Sequence, residues 1–311
     1  MPQLALMFPG HGSQYPGMAR DLIQGSARAR EILERADDIL GYSLSRLMVA
    51  EDGDELNRTV HTQPAIFVHS VALLELLRER VPLSPMIAAG HSLGEYSALC
   101  AAGVLSFDEA LDVIRVRAQG MDEAQPAGTC AMAALMGLTK ERALALIEAH
   151  RGDEVLEAAN FNAPDQVVVS GRLPAVKRIL AAAQLERKAR AVMLPVSSAF
   201  HTGLMEPARD ALDKRLASVS LAQGRFPVVA NVTGRPYPPG DAGREMMIEQ
   251  VVRPVLWEDC VRTMLDAGAD FFVEVGPGKV LGGLLRRIDR TARSTSISSI
   301  EAIETFAEVP S

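Results

Sequence analysis

Residues 87–99 read IAAGHSLGEYSAL. An apolar run ends at Gly90, Ser92 stands between Gly90 and Gly94, and a helical pattern from Leu93 follows to Ala102, where Gly103 stops it. Strand, tight turn and helix are the setting of a nucleophile elbow, whose bend lifts a serine hydroxyl clear of the backbone. The helix starting behind the turn directs free N–H groups to the same place, where they can stabilise an oxyanion. Ser92 is thus a candidate nucleophile; the plainer reading is a βα turn with a serine cap. Outward from this stretch, LALMF (Leu4–Phe8) reads as a buried strand ended by Pro9 and Gly10, and 86–90 as a second strand. Helical patterns cover 16–23, 27–39 and 64–80, and Ser106-Phe107-Asp108-Glu109 is a capping box opening the next helix. Strands alternating with helices imply an α/β fold with a parallel sheet covered by helices.

Residues 128–196 follow another grammar. CAMAALMG, EVLEAAN, QVVVSG and ARAVMLPV read as strands, and TKERALALIEAH and LPAVKRILAAAQ as helices. The order is βαββαβ, the split pattern of a ferredoxin-like unit. The first grammar then returns in FPVVANV and DFFVEVG, with STSISS as a final strand before a short helix. The expected organisation is an α/β domain over 1–127 and 197–311, interrupted by a small subdomain at 128–196. The crevice between them is a natural binding site.

The bulk numbers exclude several classes. With 311 residues, 48% apolar and 23% charged, the chain is long enough for a substantial core. A net charge of −7 argues against nucleic-acid binding. Cys100, Cys130 and Cys260 are widely spaced, odd in number and without metal-ligand spacing, so they read as free thiols in a reducing compartment. No metal is expected. The chain enters an apolar run almost at once, so no basic leader is expected. No apolar run reads as long enough to cross a bilayer. A cytoplasmic protein with no membrane association, acting as a monomer, is the expectation.

A serine hydroxyl needs a base. His11, His61, His69 and His150 sit in ordinary loop or helix positions, and His91, next to Ser92, is expected to point away from it. His201, in SSAFHTGLM, stands where the inserted unit returns to the main domain, which makes it the best candidate. On the helix from Phe107 to about Met121, Arg117 shares the face of Ile114 and Met121. A guanidinium on an inward stripe needs an anion. Spacing alone favours a structural ion pair with one of the 39 acidic residues, or a head that snorkels to water.

Seven stretches in order, FPGHGSQ, QPA, GHSLGEYSALCAAG, NFNAPDQVVVSG, AFHTGLM, RPVLW and VEVGPGKVLGGLL, resemble the malonyl-CoA:acyl carrier protein transacylases, the acyltransferase family of fatty acid and polyketide synthesis. The resemblance runs from about Leu4 to Ile288. It implies an α/β-hydrolase-like parallel-sheet domain with an inserted ferredoxin-like subdomain, in keeping with the grammar above. It also implies site roles. Ser92 takes the place of the acylated nucleophile and His201 that of its general base and acid. Gln250, in EQVVRPVLW, takes the position whose carbonyl orients the histidine in place of a triad aspartate. Arg117 takes the place of the arginine that grips a malonyl carboxylate, which reverses the spacing-only reading. The backbone N–H groups of His11 and Leu93 would form the oxyanion hole. Gln63, Met121, Asn160, Asn162 and Phe200 would line the substrate pocket. Family members commonly carry glutamine where this chain has His11, a change that preserves a backbone donor.

The implied reaction is a ping-pong transfer from malonyl-CoA, through an acyl-serine, to the phosphopantetheine thiol of an acyl carrier protein acting in trans, with no cofactor. Ala199-Phe200-His201 resembles the form associated with malonyl rather than methylmalonyl selection. Candidate docking cations for the carrier are Arg187, Lys188 and Arg190 on the insertion, and Lys279, Arg286 and Arg287 after VGPG. Two other readings stay open: an acyl hydrolase that delivers the acyl group to water, and a scaffold that only binds carriers. A transferase of broader acyl range stays open within the class.

Overall fold

The structure is a computed structural model that describes residues 3–196 and 198–308. The expected domain boundary at 197 and the chain ends at 1 and 311 lie outside the described residues.

Ten strands among the described residues form two sheets. They are β1 (Leu4–Phe8), β2 (Ile87–Gly90), β3 (Cys130–Met136), β4 (Leu156–Ala163), β5 (Gln166–Arg172), β6 (Arg190–Met193), β7 (Val228–Ala230), β8 (Arg235–Pro236), β9 (Phe271–Val275) and β10 (Arg293–Ile297). The larger sheet runs β10-β9-β1-β2-β7-β8, parallel except for β8 at one edge. β1 and β2 are central, with Phe8 opposite Gly90. Both faces are covered. Leu6 and Phe8 enter the core shared with the Thr59–Arg80 helix, while Ala5 and Met7 enter a second core with Trp257 and Phe272. That double burial is why LALMF reads as an unbroken apolar run rather than an alternating one.

The smaller sheet is antiparallel, in the order β4-β5-β3-β6. β3 alternates with period two: Ala131, Ala133 and Leu135 face a core with the Lys140–Arg151 and Leu173–Gln184 helices, while Met132 and Ala134 turn to the main core. A parallel bridge between Asn160 and Val255 ties this sheet to the larger unit, with Phe161 N–H on Val255 O and Val255 N–H on Ala159 O, both at 2.9 Å. This anchor carries β4 to the mouth of the site.

Local signals explain most boundaries. Ser106 and Glu109 cap each other at the start of the Phe107–Glu123 helix, and Gly103 ends the Gly94–Ala102 helix at φ 81°. Three expectations change. The helix expected at 16–23 is Arg20–Gly25, with a turn over 16–19. The helix expected at 64–80 begins at Thr59, so Pro64 lies inside it. Proline leaves the carbonyl four residues earlier without its N–H; here that carbonyl, Val60 O, accepts the Tyr42 hydroxyl at 3.4 Å. The same helix also has the length and hydropathy of a membrane span, 22 residues at 1.2, contrary to the expectation of none. Its most apolar window is 83% buried inside the fold, so its side chains serve the core.

Candidate active site

The turn after β2 is held by steric necessity. A Cβ at Gly90 would sit 1.9 Å from the Gly94 carbonyl, and one at Gly94 would sit 2.1 Å from Phe8 O. Only glycines allow strand and helix to approach this closely. Between them Ser92 adopts φ 51°, and His201 is also left-handed at φ 60°. Such conformations cost roughly 1–3 kcal/mol each and persist where the surroundings over-determine them.

Those surroundings are visible. Asn231, just past β7, accepts the Ser92 N–H through Oδ1 at 2.7 Å and donates through Nδ2 to Gly90 O at 2.8 Å. Gln250 Nε2 donates to Ser92 O at 2.8 Å. The Ser92 residue is therefore gripped at both its N–H and its C=O. Behind it, the buried Glu95 carboxylate accepts the Asn231 N–H at 2.6 Å and the Tyr237 hydroxyl. Burial pushes the Glu95 carboxyl up from 4.5 to about 7, against the pull of these donors and of Arg117.

His201 Nε2 lies 2.8 Å from Ser92 Oγ. Its Nδ1 lies 2.8 Å from the main-chain O of Gln250 and 3.2 Å from that of Arg253. Carbonyls only accept, so Nδ1 carries the hydrogen and Nε2 is free to take the serine proton. The orienting carbonyl of Gln250 is thus its main-chain one; its side chain serves Ser92 and Arg117. Burial first, and then the Arg117 charge, lower His201 from 6.5 to about 3, so the ring is neutral at physiological pH.

Arg117 is 1% exposed. Its Nη2 donates to Ser92 Oγ at 3.0 Å and to Gln250 Oε1 at 2.9 Å, and Nη1 donates to Gln63 Oε1. Its Nε has no partner, and its guanidinium carbon lies 5.7 Å from the Tyr96 ring centre. No acidic side chain pairs with it among the described residues, so the ion pair favoured by spacing alone is not formed. Burial lowers its pKa, and the electrostatics of Tyr96 and Glu95 oppose that shift. A buried cation held only by neutral amides and a hydroxyl is suited to receive an anion.

A cleft of about 210 Å³ opens between the two sheets. His11, Asn160 and Asn162 line it, with Val168, Val280 and Leu284. Ser92, His201 and Arg117 are not among its lining residues, although His91, next to Ser92, is. The His11 ring stands 5.5 Å from that of Phe200, which is buried beside His201. Burial and Arg117 lower His11 to about 4. Met121 is buried under the Gln63 amide, with Nε2 3.5 Å from its sulfur. His91 turns from Ser92 to Asn162 Oδ1 at 2.8 Å, its ring 5.5 Å from Trp257. The main-chain N–H groups of His11 and Leu93 have no protein acceptor among the described residues. No group of three metal-ligating side chains occurs among them either.

Sequence reasoning missed Asn231, Glu95 and Tyr237. One signal was available: Asn231 is the polar residue that ends the apolar strand FPVVAN at the carboxyl edge of a parallel sheet, where sites of such folds gather.

Residues 6–307 match the acyl transferase domain family. The malonyl CoA-acyl carrier protein transacylase of Escherichia coli strain K12 is 40% identical over 309 residues, covering 99% of this chain and 100% of that protein. The solved structure of the corresponding transacylase from Coxiella burnetii matches with a TM-score of 0.95 at 36% identity, over 99% of this chain and 98% of the other. A malonyl-transacylase solved in complex with a type II polyketide synthase acyl carrier protein matches equally well, with a TM-score of 0.95 at 36% identity over 98% and 99% of the two chains.

Proposed function

Because the chain belongs to the acyl transferase domain family, we propose that it transfers a malonyl group from malonyl-CoA to the phosphopantetheine thiol of an acyl carrier protein, in fatty acid or polyketide synthesis. Its enzyme class is acyltransferase. The observation that carries the malonyl assignment is Arg117: a buried guanidinium, without a carboxylate partner among the described residues, in contact with the nucleophile.

His201 takes the Ser92 proton at Nε2 as Oγ attacks the thioester carbonyl. The oxyanion rests on the N–H groups of His11 and Leu93, and losing one such donor costs ~3 kcal/mol of barrier in comparable sites. The C–S bond breaks, and His201 returns the proton to the CoA thiolate. The carrier thiol then attacks the acyl-serine by the reverse route. Arg117 holds the malonyl carboxylate throughout, and Asn160 and Asn162 face the donor in the cleft. The chemistry uses protein groups alone.

The carrier's phosphopantetheine would enter along the cleft. Lys279 and Arg286 are exposed at the two ends of the helix that walls it, which supports a docking role. Arg287 instead pairs with Asp165 across the cleft at 2.8 Å, so its charge is less available. Arg187, Lys188 and Arg190 are exposed beside or on β6. A cytoplasmic monomer is the proposed working form.

The test is labelled malonyl-CoA with and without carrier protein. Label should reside on Ser92 in the absence of carrier and move to the carrier thiol on its addition. Release chiefly as free malonate would establish a hydrolase. Absence of any acyl-serine in intact-protein mass spectrometry would leave a carrier-binding scaffold.

A further inference from the structure

We propose that the donor's own carboxylate is a working part of the catalytic machinery: by pairing with Arg117 it supplies the negative charge that His201 lacks, and so turns a resting nucleophile into an active one. This rests on the acyl-transfer reading and assigns to the substrate a control over that same site.

The argument starts from the charge that catalysis creates. A histidine that takes the serine proton becomes a cation, and in Ser-His-Asp sites a carboxylate faces it. Here Nδ1 of His201 faces two main-chain carbonyls and no carboxylate among the described residues. The full charge that meets it at Ser92 is that of Arg117, and it has the wrong sign. Arg117 Nη2 and His201 Nε2 touch the same oxygen, Ser92 Oγ, at 3.0 and 2.8 Å.

At rest, Arg117 occupies a lone pair of the hydroxyl that must attack. As attack proceeds, negative charge leaves Oγ for the carbonyl oxygen. An imidazolium is then left facing a guanidinium in a buried site, where such repulsion is poorly screened. A carboxylate on Arg117 removes both obstacles. It draws the guanidinium off Oγ and cancels its charge. A neutral acyl donor does neither, so discrimination appears in the acylation rate as well as in binding.

The other groups around His201 do not supply this charge. His91, after β2, is neutral and bonded to Asn162, and His11, after β1, is neutral on the cleft wall. Glu95, on the Gly94–Ala102 helix, is engaged by Asn231 and Tyr237 and forms no ion pair with Arg117. Tyr96, on the same helix, is protonated, its pKa pushed up to about 12. Glu157 on β4 reaches Gly203, and Arg253 pairs with Glu249 near the surface. Burial first, and the Arg117 charge second, lower the basicity of His201.

The probe is methanesulfonyl fluoride, a neutral reagent that has no use for a carboxylate clamp. Its reaction forms an Oγ–S bond and expels fluoride, while the serine proton passes to His201. Gln63→Glu sets a carboxylate against Arg117 Nη1 with almost no change of shape, and Arg117→Gln removes the cation. Both variants are expected to label Ser92 about tenfold faster than the wild type at pH 7, the gain a stronger base gives through its Brønsted dependence. Gln63→Glu should at the same time lose malonyl transfer, because its clamp is already occupied. In Arg117→Gln the acid limb of the labelling rate should lie at higher pH than in the wild type, while burial still holds His201 below the ordinary histidine value. If both folded variants label at or below the wild-type rate, Arg117 is a binding clamp only and the proposal fails, although malonyl transfer still stands. If the wild type takes no malonyl group from malonyl-CoA, the underlying function fails instead.

Discussion

Replacing Glu95 by glutamine is expected to stabilise the fold at pH 8 and leave it unchanged near pH 4.5. Two effects compete at this carboxyl. Complete burial disfavours its ionised form, while the Tyr237 hydroxyl, the Asn231 N–H and the Arg117 charge favour it; burial wins, and the group titrates near 7 instead of 4.5. The folded state then holds a proton that the unfolded chain releases between those two values. Stability is full below about 4.5, falls as pH rises through 7, and levels off above. A displacement of this size corresponds to ~3 kcal/mol. Glutamine reproduces the protonated form: its oxygen can accept from Asn231 and its amide can donate to the Tyr237 oxygen. Urea unfolding of both proteins at several values from pH 4.5 to 8.5 measures the difference. The variant should gain ~3 kcal/mol on the wild type between pH 4.5 and 8, with unchanged m-values. A constant difference would mean that Glu95 does not titrate in this window. A wild type that gains on the variant as pH rises would mean that the donors outweigh burial, and the reasoning would be wrong.

Other expectations follow from the same contacts. His69 and His201 are buried and held neutral, down at about 4 and about 3, so the unfolded chain binds protons that the folded one refuses. Each should remove about 1.4 kcal/mol of stability per pH unit below about 6.5, seen as a fall in the urea midpoint towards pH 5. Asn231→Ala strands the Ser92 N–H and the Gly90 carbonyl; at ~1–3 kcal/mol for each unsatisfied group, the melting temperature should drop by several degrees and kcat should fall with KM little changed. Arg117→Ala should lose malonyl preference and accept acetyl-CoA better in a donor panel; unchanged malonyl kinetics would remove it as the clamp. His201→Ala should abolish acylation of Ser92 at neutral pH, and rapid labelling of that variant would exclude His201 as the base.

The extent to which the site was legible varies by residue. Ser92 was readable because its chemistry is local: the glycines at 90 and 94, the strand before and the helix after all lie within 16 residues. Arg117 was readable as inward-facing from helical spacing, but its partners were not. Gln63 and Gln250 lie 54 and 133 positions from it. His201 stands 109 positions from Ser92, and no periodicity links them. The Thr59–Arg80 helix was misjudged at its start because the proline's lost hydrogen bond is offset by Tyr42, from another helix-to-helix connection.

The amino-acid order by itself determined most of the strands and helices, several of their ends, and that one serine is thrust out of a tight turn. These are local consequences of burial period, capping and glycine sterics, each satisfied within a few neighbouring residues. Only the tertiary structure decided that a buried cation and a neutral imidazole meet on the same hydroxyl, that a main-chain carbonyl takes the place of an acid, and that Asn231 and Glu95 brace the turn. Those contacts join residues more than twenty positions apart, most of them more than a hundred; the Asn231 contacts form because strand order in the parallel sheet brings β2 beside β7, which no local pattern encodes.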